Sequence, residues 1–588
     1  MKPFAFFARR TAADADFRGR EFRRLSLPHR LLRLLIVFGA GSAAALAMAP
    51  VNAVITLFLA PLPLLWFTRA SGWKRGFFLG WLWGLGFGVW SFLWLREIFW
   101  AIPLLMAPVL GLYYGLFGFA AALASRWILL PPAVRERGFT AQEECRDYPV
   151  WRQMLWCTAV AAAFVTAEFL RSNVLPWNYF GVAFHRYSVM IQLARYTGVY
   201  GLSFLALFTA AAIALAVRTV SVRDPERGVY RYRRPWPLLT ALTLLAGCVA
   251  FGNAELRRVR AEYAEAEHTL RVTLIQGGLS QRRFGGEDKA REALQTYVRL
   301  THARLGDRSD LIVWPETAVP YPLRGGAPVC EEYRNAVRAL ATLAQAPMLV
   351  GTLEYDVSMR PPGSLNSAVL LDGRDMLRAG YLAQYDKVHP VPFGEFVPCR
   401  RYLPGWLVRM IDMQRDLTPG KSFVPVKVNN RVKLGVSICF EDVFPYIARQ
   451  EFLRGANLLA VITNDAWYPT SSEPEQHLAH ALFRAVETGL PMIRCGNDSA
   501  SCVIAPTGEF LWSMSRACGF GDGRPFRRGA GSATTVLRVP DAGQLRPTVY
   551  TRYGDWFAWL CAIGTAGILL AALLQVIAWR KRVRLCRD

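Results

Sequence analysis

The chain has 588 residues, of which 53% are hydrophobic and 19% are charged, and its 69 Lys and Arg outnumber its 44 Asp and Glu. The apolar fraction excludes an intrinsically disordered chain, and 11 Cys in this length exclude a small disulfide scaffold. The net charge of +25 is compatible with either nucleic acid or a membrane surface as a partner, so its position along the chain has to decide.

Eight long apolar stretches follow one another along the chain, seven before residue 254 and one after residue 555. At about 1.5 Å per residue, helices of this length match a hydrocarbon core roughly 30 Å thick. Almost no charged residue lies inside them, which disfavours eight buried helices of a soluble protein. We therefore predict a polytopic α-helical membrane protein with eight transmembrane helices, at residues 31–49, 51–67, 77–95, 101–125, 154–170, 198–217, 237–253 and 556–579.

The basic residues concentrate in every second connecting segment. If successive helices cross the membrane in opposite directions, all of these segments lie on one side of it. These segments hold 28 basic and 10 acidic residues, or +18 of the net +25. Lys and Arg accumulate on the cytoplasmic side, so we expect both termini to be cytoplasmic and the segment 254–555 to be outside. No basic stripe with interleaved aromatics occurs in that segment, so we expect no nucleic-acid partner. The basic segments are 1–33, 68–76, 126–154, 218–234 and 580–588.

The segment between the seventh and eighth apolar stretches is long enough for one large α/β domain. Several of its strand candidates are continuous apolar runs, which suits strands buried on both faces. The predicted strands are Arg271–Gln276, Asp310–Trp314, Met348–Thr352, Ser367–Leu371, Val432–Ile438, Leu458–Thr463, Met492–Cys495 and Ala500–Ile504. The predicted helices are Lys289–Arg304, Glu331–Gln345, Tyr446–Arg454 and Gln476–Glu487, and a Gly- and Arg-rich loop is predicted at 520–535.

Three of these strand ends carry polar residues of the kinds that acyl transfer uses. Glu316, Lys387 and Cys439 each lie at such an end, where functional side chains of α/β folds gather. A thiolate is the competent nucleophile, a carboxylate could take the thiol proton, and an ammonium could stabilise an oxyanion. Each residue also has an ordinary structural interpretation: a packed Cys, a helix-capping Glu and a solvated Lys. The spacing alone leaves both interpretations open.

At these segments the sequence resembles the carbon–nitrogen hydrolase (nitrilase) superfamily, and within it the apolipoprotein N-acyltransferase family. The resemblance extends over nearly the whole chain. In the segment 254–555 it is carried by Leu274-Ile275-Gln276-Gly277, Trp314-Pro315-Glu316-Thr317, Tyr385-Asp386-Lys387, Val391-Pro392-Phe393-Gly394-Glu395-Phe396-Val397-Pro398, Cys439-Phe440-Glu441, Asn464-Asp465-Ala466-Trp467 and Arg484-Ala485-Val486-Glu487-Thr488-Gly489-Leu490-Pro491. Elsewhere it is carried by Pro176-Trp177, Gly198-Val199-Tyr200-Gly201 and Arg552-Tyr553-Gly554-Asp555-Trp556.

The resemblance implies a two-step acyl transfer at a Glu-Lys-Cys triad. Cys439 would take an acyl chain from a membrane phospholipid, typically phosphatidylethanolamine, and pass it to the N-terminal amine of a diacylglyceryl-cysteine in an apolipoprotein. Glu316 would be the base in both steps and Lys387 the oxyanion partner. No cofactor is implied.

The resemblance also implies an architecture and a location. The fold would be an α/β nitrilase-like αββα sandwich inserted between membrane helices. The corresponding domains are a seven-helix region at 1–253, a periplasmic catalytic domain at 254–555, and the eighth helix with a basic tail at 556–588. The protein would lie in the bacterial inner membrane.

Further family positions suggest supporting roles. Glu395 would orient Lys387 or the substrate, and Glu441 would help hold the site. Trp467 and Asn464 are candidates for substrate contact. Two departures from the family pattern leave the acyl-chain contacts open. Phe440 stands where many members have Tyr. Members often have a Trp shortly after the Gln-Gly segment, whereas the nearest aromatic in this chain is Phe284, about one residue away from that position.

Other functions stay open as alternatives. A membrane-tethered amidase would use the same triad but release the acyl group to water, and a transporter or lipid-binding scaffold would use none of it. His477 and His480 lie three apart on a predicted helix, but no zinc motif accompanies them, so we predict no metal site. Disulfide pairing among the Cys of the external segment cannot be predicted from their positions; these are Cys330, Cys399, Cys439, Cys495, Cys502 and Cys518.

Overall fold

The computed structural model divides the chain into two compact units, each of which is described by itself. The first unit comprises Met1–Arg186, Thr197–Gly252 and Asp555–Asp588, and the second comprises Tyr187–Tyr196 and Asn253–Gly554. The structure describes residues 27–69, 71–129, 148–219, 222–223, 230–231, 235–280, 286–356, 363–372, 381–397, 400–402, 404–405, 416–468, 470–518 and 528–585.

The first unit is built from helices. Long apolar sequences form them because a helix pairs its own backbone groups, which an apolar environment demands. Its described elements are α1 (Leu27–Ala45), α2 (Thr56–Leu59), α3 (Pro61–Arg69), α4 (Trp73–Ser91), α5 (Ile102–Ala124), α6 (Val150–Ser172), α9 (Tyr200–Thr219), the short strands β1 (Val222–Arg223) and β2 (Tyr230–Arg231), most of α10 (Trp236–Ala264), and α17 (Trp556–Leu585). The helices α7 (Ser188–Ile191) and α8 (Ala194–Thr197) follow α6 in the chain.

Five helices within the described residues are long and apolar enough to cross a membrane. The predicted stretch 51–67 differs from a single span, because residues 51–55 are not helical and the rest divides between α2 and α3. Pro61 and Pro63 lack the N–H that a helix interior needs, which explains the interruption. The five helices are Ile102–Leu129, Val150–Ser172, Tyr200–Val217, Trp236–Ala264 and Trp556–Gln575.

The Gly-rich run of α4 lets neighbouring helices approach closely. A Cβ atom at Gly80 would overlap the backbone oxygen of Tyr114 on α5, and one at Gly86 would overlap that of Phe38 on α1. Small residues at such crossings allow backbone-to-backbone packing, which is how helices associate in an apolar solvent.

The second unit contains two six-stranded sheets. Their orders are β14-β3-β4-β5-β6-β7 and β13-β12-β11-β10-β9-β8. The central pairs β3-β4, β4-β5, β9-β10 and β10-β11 are parallel, and the outer pairs are antiparallel. The strands are β3 (His268–Gln276), β4 (Leu311–Val313), β5 (Met348–Asp356), β6 (Gly363–Leu371), β7 (Tyr381–Asp386), β8 (Val426–Lys427), β9 (Lys433–Ile438), β10 (Leu458–Thr463), β11 (Met492–Gly496), β12 (Cys502–Ile504), β13 (Phe510–Ser513) and β14 (Gly531–Val539).

Helices cover the outer faces of both sheets and produce the predicted helix–sheet–sheet–helix layers. Val313 of the first sheet and Val436 of the second belong to one apolar core between the sheets. Tyr297 and Tyr333 belong to a second core, with the first sheet, and Leu482 to a third, with the second sheet. The helices of this unit are α11 (Glu287–His302), α12 (Pro328–Ala344), α13 (Pro445–Leu453), α14 (Glu473–Thr488), α15 (Met514–Ala517) and α16 (Val549–Tyr553).

The predicted loop at 520–535 is wrong over its last five residues. Residues 531–539 form β14, which pairs antiparallel with β3 along its whole length. Thr534, Thr535 and Val536 are β-branched and favour a strand, and this preference outweighs the glycines before them. Residues 520–527 of the predicted loop lie outside the described residues.

Candidate active site

The three triad candidates meet at the carboxyl ends of three strands. Glu316 lies three residues after β4, Lys387 directly follows β7, and Cys439 directly follows β9. The Lys387 Nζ atom donates to Glu316 Oε1 over 3.1 Å. Both charges also act on the Cys439 thiol and shift its pKa. The structure therefore brings the three predicted side chains into one site.

Cys439 occupies an unusual backbone position. The residue is half buried and has a φ of +53°, in the left-handed region that non-glycine residues seldom adopt. A short 3-10 turn, Cys439–Val443, begins at this residue. Such a conformation costs on the order of 1–3 kcal/mol and persists only when surrounding contacts hold it.

The surroundings of the Cys439 thiol favour its protonated form. Burial raises the pKa of Cys439 well above its ordinary value, and the carboxylates of Glu316 and Asp465 raise it further. Lys387 and a hydrogen bond from Thr463 oppose this rise without cancelling it. Because the thiolate is the reactive form, the site needs a base that removes the proton as the bond forms.

Lys387 is a fully charged buried ammonium. Its side chain is 1% exposed, and its Nζ contacts Glu316 Oε1 and, over 2.9 Å, Glu395 Oε1. Burial alone would lower the pKa of Lys387, but Glu316, Glu395 and the Cys439 sulfur raise it well above its usual value. A permanent positive charge beside the thiol suits the stabilisation of an oxyanion. We call Glu316, Lys387 and Glu395 the lysine cluster.

Glu316 is fixed through both of its carboxylate oxygens. Asn366 Nδ2 donates to Oε1 over 2.8 Å, and the backbone N–H of Asn464 donates to Oε2 over 3.0 Å. These contacts hold the carboxylate without using all of its lone pairs, so it can still accept a proton. The sequence prediction missed Asn366, which is buried in β6 among other polar residues, Ser364 and Ser367, and so does not stand out.

Glu395 lies beside Lys387 as the sequence predicts. Its Oε1 accepts hydrogen bonds from Lys387 Nζ and, over 2.8 Å, from Asn366 Nδ2, while Oε2 accepts from the backbone N–H of Val391 over 2.7 Å. Asn366 therefore links both carboxylates of the lysine cluster. Glu395 is the most exposed of the three at 15%.

Glu441 joins the turn Cys439–Val443 to the loop that carries Lys387. Its carboxylate accepts from the backbone N–H groups of Ile438, Val388 and His389 and from the Tyr385 hydroxyl. Burial raises its pKa to about 7, and the backbone donors and Lys387 limit that rise. Tyr385 was part of the family phrase, but its contact with Glu441 was not predicted.

Known proteins match this chain along most of its length. A model of the "Apolipoprotein N-acyltransferase N-terminal domain" matches residues 40–212, and a "Carbon-nitrogen hydrolase" model matches residues 271–517. An apolipoprotein N-acyltransferase of Allorhizobium ampelinum is 31% identical over 81% of this chain and 86% of its own length. Another, from Geobacter metallireducens, is 30% identical over 69% and 70% of the two chains.

The chain belongs to the apolipoprotein N-acyltransferase family. A third relative, from Rhodopseudomonas palustris, is 28% identical and extends over 94% of this chain and 95% of its own. Among solved structures, a carbon–nitrogen hydrolase from Helicobacter pylori aligns with 49% of this chain at 18% identity and a TM-score of 0.33. The predicted resemblance is confirmed, and with it an acyltransferase with a nitrilase-like domain.

The remaining site candidates of this family member occupy different environments. Phe440 is buried and packs edge-on against Phe444, with ring centroids 5.4 Å apart. Trp467 is 54% exposed at the rim of the second sheet, and Asn464 contacts Glu316 through its backbone. Phe284 lies outside the described residues.

A second group of buried charges lies behind Cys439 and was not predicted. We call Asp442, Asp465, His477 and Arg494 the histidine cluster. His477 Nε2 lies 2.7 Å from Asp442 Oδ1, its Nδ1 lies 3.2 Å from Asp465 Oδ1, and Arg494 Nη1 lies 2.5 Å from Asp442 Oδ2. An Arg inside the apolar strand β11 is the sequence signal for it, since a buried cation requires partners.

The ligand atoms of Cys439, Asp465 and His477 come within 4.8 Å of one another, a spacing that could hold a metal ion. One contact disfavours a metal there, because the Arg494 guanidinium lies 3.0 Å from His477 Nδ1. A fixed positive charge at this position repels a metal cation, so we assign no metal to these residues.

Proposed function

We propose that the protein transfers an acyl chain from a membrane phospholipid to the N-terminal amine of diacylglyceryl-cysteine in apolipoproteins, through a thioester on Cys439. The observation that carries this proposal is the contact of Lys387 with Glu316 beside a half-buried Cys439 with a strained backbone. The family relationship supports lipoprotein N-acylation as the reaction class.

In the first step Glu316 would accept the thiol proton while the Cys439 sulfur attacks the ester carbonyl of the phospholipid. The carbonyl oxygen becomes an oxyanion, and Lys387 stabilises it. Collapse of this intermediate breaks the ester C–O bond and leaves a thioester. Glu316 returns its proton to the departing alkoxide, which leaves as a lysophospholipid. We expect phosphatidylethanolamine, acylated at sn-1, as the donor.

In the second step the amine of the lipoprotein attacks the thioester carbonyl. Glu316 would take a proton from the attacking nitrogen, and Lys387 would again stabilise the oxyanion. Breaking the C–S bond releases an amide, and the proton on Glu316 passes to the Cys439 thiolate. Glu316 begins and ends each step as a carboxylate, and the second step returns Cys439 from the thioester to the thiol, so the cycle closes as a ping-pong reaction requires.

We infer that Glu395, Glu441 and Asn464 support this chemistry without reacting. Glu395 orients Lys387, to which it is hydrogen-bonded, and Asn464 aligns Glu316 through its backbone N–H. Glu441 holds the turn Cys439–Val443, which we call the nucleophile turn, against the loop that carries Lys387. Trp467 is exposed beside the site and is our candidate for contact with an acyl chain.

We propose a membrane topology of eight helices, with one periplasmic domain inserted in the chain between the seventh and the eighth. The proposed domains are 1–253, 254–555 and 556–588, with both termini cytoplasmic and the protein in the bacterial inner membrane. The excess of basic residues in alternate segments supports this orientation, and five helices of sufficient length and hydropathy support membrane insertion.

The test is an acyl-transfer assay in liposomes that contain phosphatidylethanolamine and a diacylated lipopeptide, read by mass spectrometry. The proposal predicts a mass gain of one acyl chain on the peptide amine. Free fatty acid with an unchanged peptide would instead indicate an amidase-like hydrolase that passes the acyl group to water. Cys439→Ala is expected to abolish both products, whereas Cys518→Ala, at another half-buried thiol of the same unit, is the matched control.

A further inference from the structure

Side chains of helix α14 hold the nucleophile turn through contacts with the backbone carbonyls of that turn. His477 Nε2 lies 3.1 Å from the carbonyl oxygen of Cys439, and Arg484 Nη1 donates to the carbonyls of Asp442 and Val443 over 3.2 and 3.0 Å. His477 and Arg484 are seven residues apart, or two helical turns, so both lie on one face of the helix. Three carbonyls of the five-residue turn are therefore fixed from a single element.

Of these three contacts, the one at the Cys439 carbonyl bears directly on the position of the Cys439 sulfur. Cys439 is the residue with the left-handed backbone, so the peptide that follows it must be held against its preferred conformation. A donor on its carbonyl oxygen fixes the orientation of that peptide. The position of the sulfur relative to Glu316 and Lys387 depends on this backbone.

The His477 ring is placed to donate from Nε2, which faces only acceptors, the carboxylate of Asp442 and the Cys439 carbonyl. Nδ1 faces Asp465 and Glu473 but also, over 3.0 Å, the guanidinium of Arg494, which can only donate. Nε2 therefore carries a proton both in the neutral ring that Arg494 favours and in the imidazolium that the carboxylates favour.

The charges around the ring balance. The carboxylate of Asp465 is stabilised, with a pKa below its usual range because His477 and Arg494 outweigh the effect of burial. Burial raises the pKa of Glu473 well above its usual value, which keeps that group neutral. Two cations thus face two carboxylates, and the cluster has no free base that could compete with Glu316 for the thiol proton.

We propose that His477 is a positioning residue that clamps the carbonyl of Cys439 and so holds the nucleophile in its left-handed, reactive conformation. This inference rests on the proposed role of Cys439 as nucleophile. It assigns to the histidine cluster a role in the rate of acylation and not only in folding.

Two substitutions separate the contacts of the ring. The amide nitrogen of His477→Gln can reach the position of Nε2 and keep a donor for the Cys439 carbonyl, whereas the shorter side chain of His477→Asn reaches only the position of Nδ1. The matched controls are His480→Gln and His480→Asn, at a second buried histidine of α14. The full-length protein in detergent micelles is alkylated with iodoacetamide, and the rate at Cys439 is measured by peptide mass spectrometry at several pH values.

The inference predicts that His477→Asn slows alkylation of Cys439 by about tenfold or more at every pH, the scale of one lost charge-assisted hydrogen bond. His477→Gln is expected to stay within about threefold of the original protein, and both controls to be unchanged. Equal rates in His477→Asn and the original protein would overturn the inference. Equal loss in both His477 variants would also overturn it, because a purely structural role would not distinguish them.

The outcome for the proposed function is separate. If iodoacetamide leaves Cys439 unmodified and acyl transfer survives Cys439→Ala, the nucleophile assignment fails whatever the His477 variants do. Should both His477 variants fail to fold, 15N NMR of the His477 ring in the original protein decides. The inference predicts a proton on Nε2 near neutral pH, and a ring that carries its proton only on Nδ1 would contradict it.

Discussion

Cys439 lies between two groups of charged side chains, which differ in their balance of cations and carboxylates and in their exposure to solvent. The lysine cluster has one cation facing two carboxylates, and Glu395 is 15% exposed. The histidine cluster has two cations facing Asp442 and Asp465, and its side chains are at most 1% exposed. The first can accept a proton and admit a substrate, whereas the second is closed. We infer that one cluster performs the chemistry and the other holds the nucleophile.

The largest effect is expected where the lysine cluster loses its base. Glu316→Gln keeps the size of the side chain but cannot accept the thiol proton, so acyl transfer should fall by about 1,000-fold. The rate of thioester formation from phospholipid is the measurement. Glu331→Gln, at an exposed position of α12, is the control. A loss of less than about tenfold would show that Glu316 is not the base. It would also contradict the inference that the lysine cluster performs the chemistry.

Removal of the lysine tests whether that cluster depends on its single cation. Lys387→Met leaves Glu316 and Glu395 buried without their partner, and breaking such a pair costs about 3–5 kcal/mol. The variant should therefore unfold with a correspondingly smaller free energy than the original protein. Chemical denaturation at pH 7 measures this. A loss below about 1 kcal/mol would contradict the dependence of the cluster on its single cation.

Glu441 lies at the boundary between the clusters and provides a pH test. Its folded pKa of about 7 exceeds the ordinary 4.5, so the native state binds the proton more tightly. Its contribution to stability is therefore present below pH 4.5 and is lost as pH rises to about 7, by about 3 kcal/mol. Glu441→Gln should flatten this dependence. Unfolding profiles of the two proteins that stay parallel from pH 4.5 to 7.5 would refute the assignment.

The smallest effect is expected outside both clusters. Phe440 is buried against Phe444, and Phe440→Tyr keeps the ring while it adds the hydroxyl that many family members have. We expect less than about threefold change in acyl transfer, because the contacts of Cys439 described above do not involve this ring. A large gain, measured in the same liposome assay, would show that the hydroxyl takes part in the reaction.

The sequence predicted the part of this site that depends on strand ends. Glu316 and Cys439 follow apolar strands, and their family phrases single them out. The histidine cluster was missed because its members are scattered, from Asp442 to Arg494, and only the packing of α14 on the second sheet brings them together. His477 was examined for metal binding, whereas its partners are carboxylates and a backbone carbonyl.

The fold was predictable where burial produces continuous apolar runs. β10 is buried at all six positions and was predicted with its bounds. β14 was missed because its pairing with β3 is a long-range contact that the local glycines conceal. The broken helix at 51–69 shows the same limit, since hydropathy registers the apolar residues but not the effect of Pro61.

The most direct test of the account is intact-protein mass spectrometry after incubation with phosphatidylethanolamine and no acceptor. The account predicts a mass increase of one acyl chain, located on Cys439 and removed by hydroxylamine, as a thioester should be. Addition of the diacylated lipopeptide should discharge it to the peptide amine. Efficient acylation of the peptide with no acyl-enzyme on Cys439 would contradict the central claim.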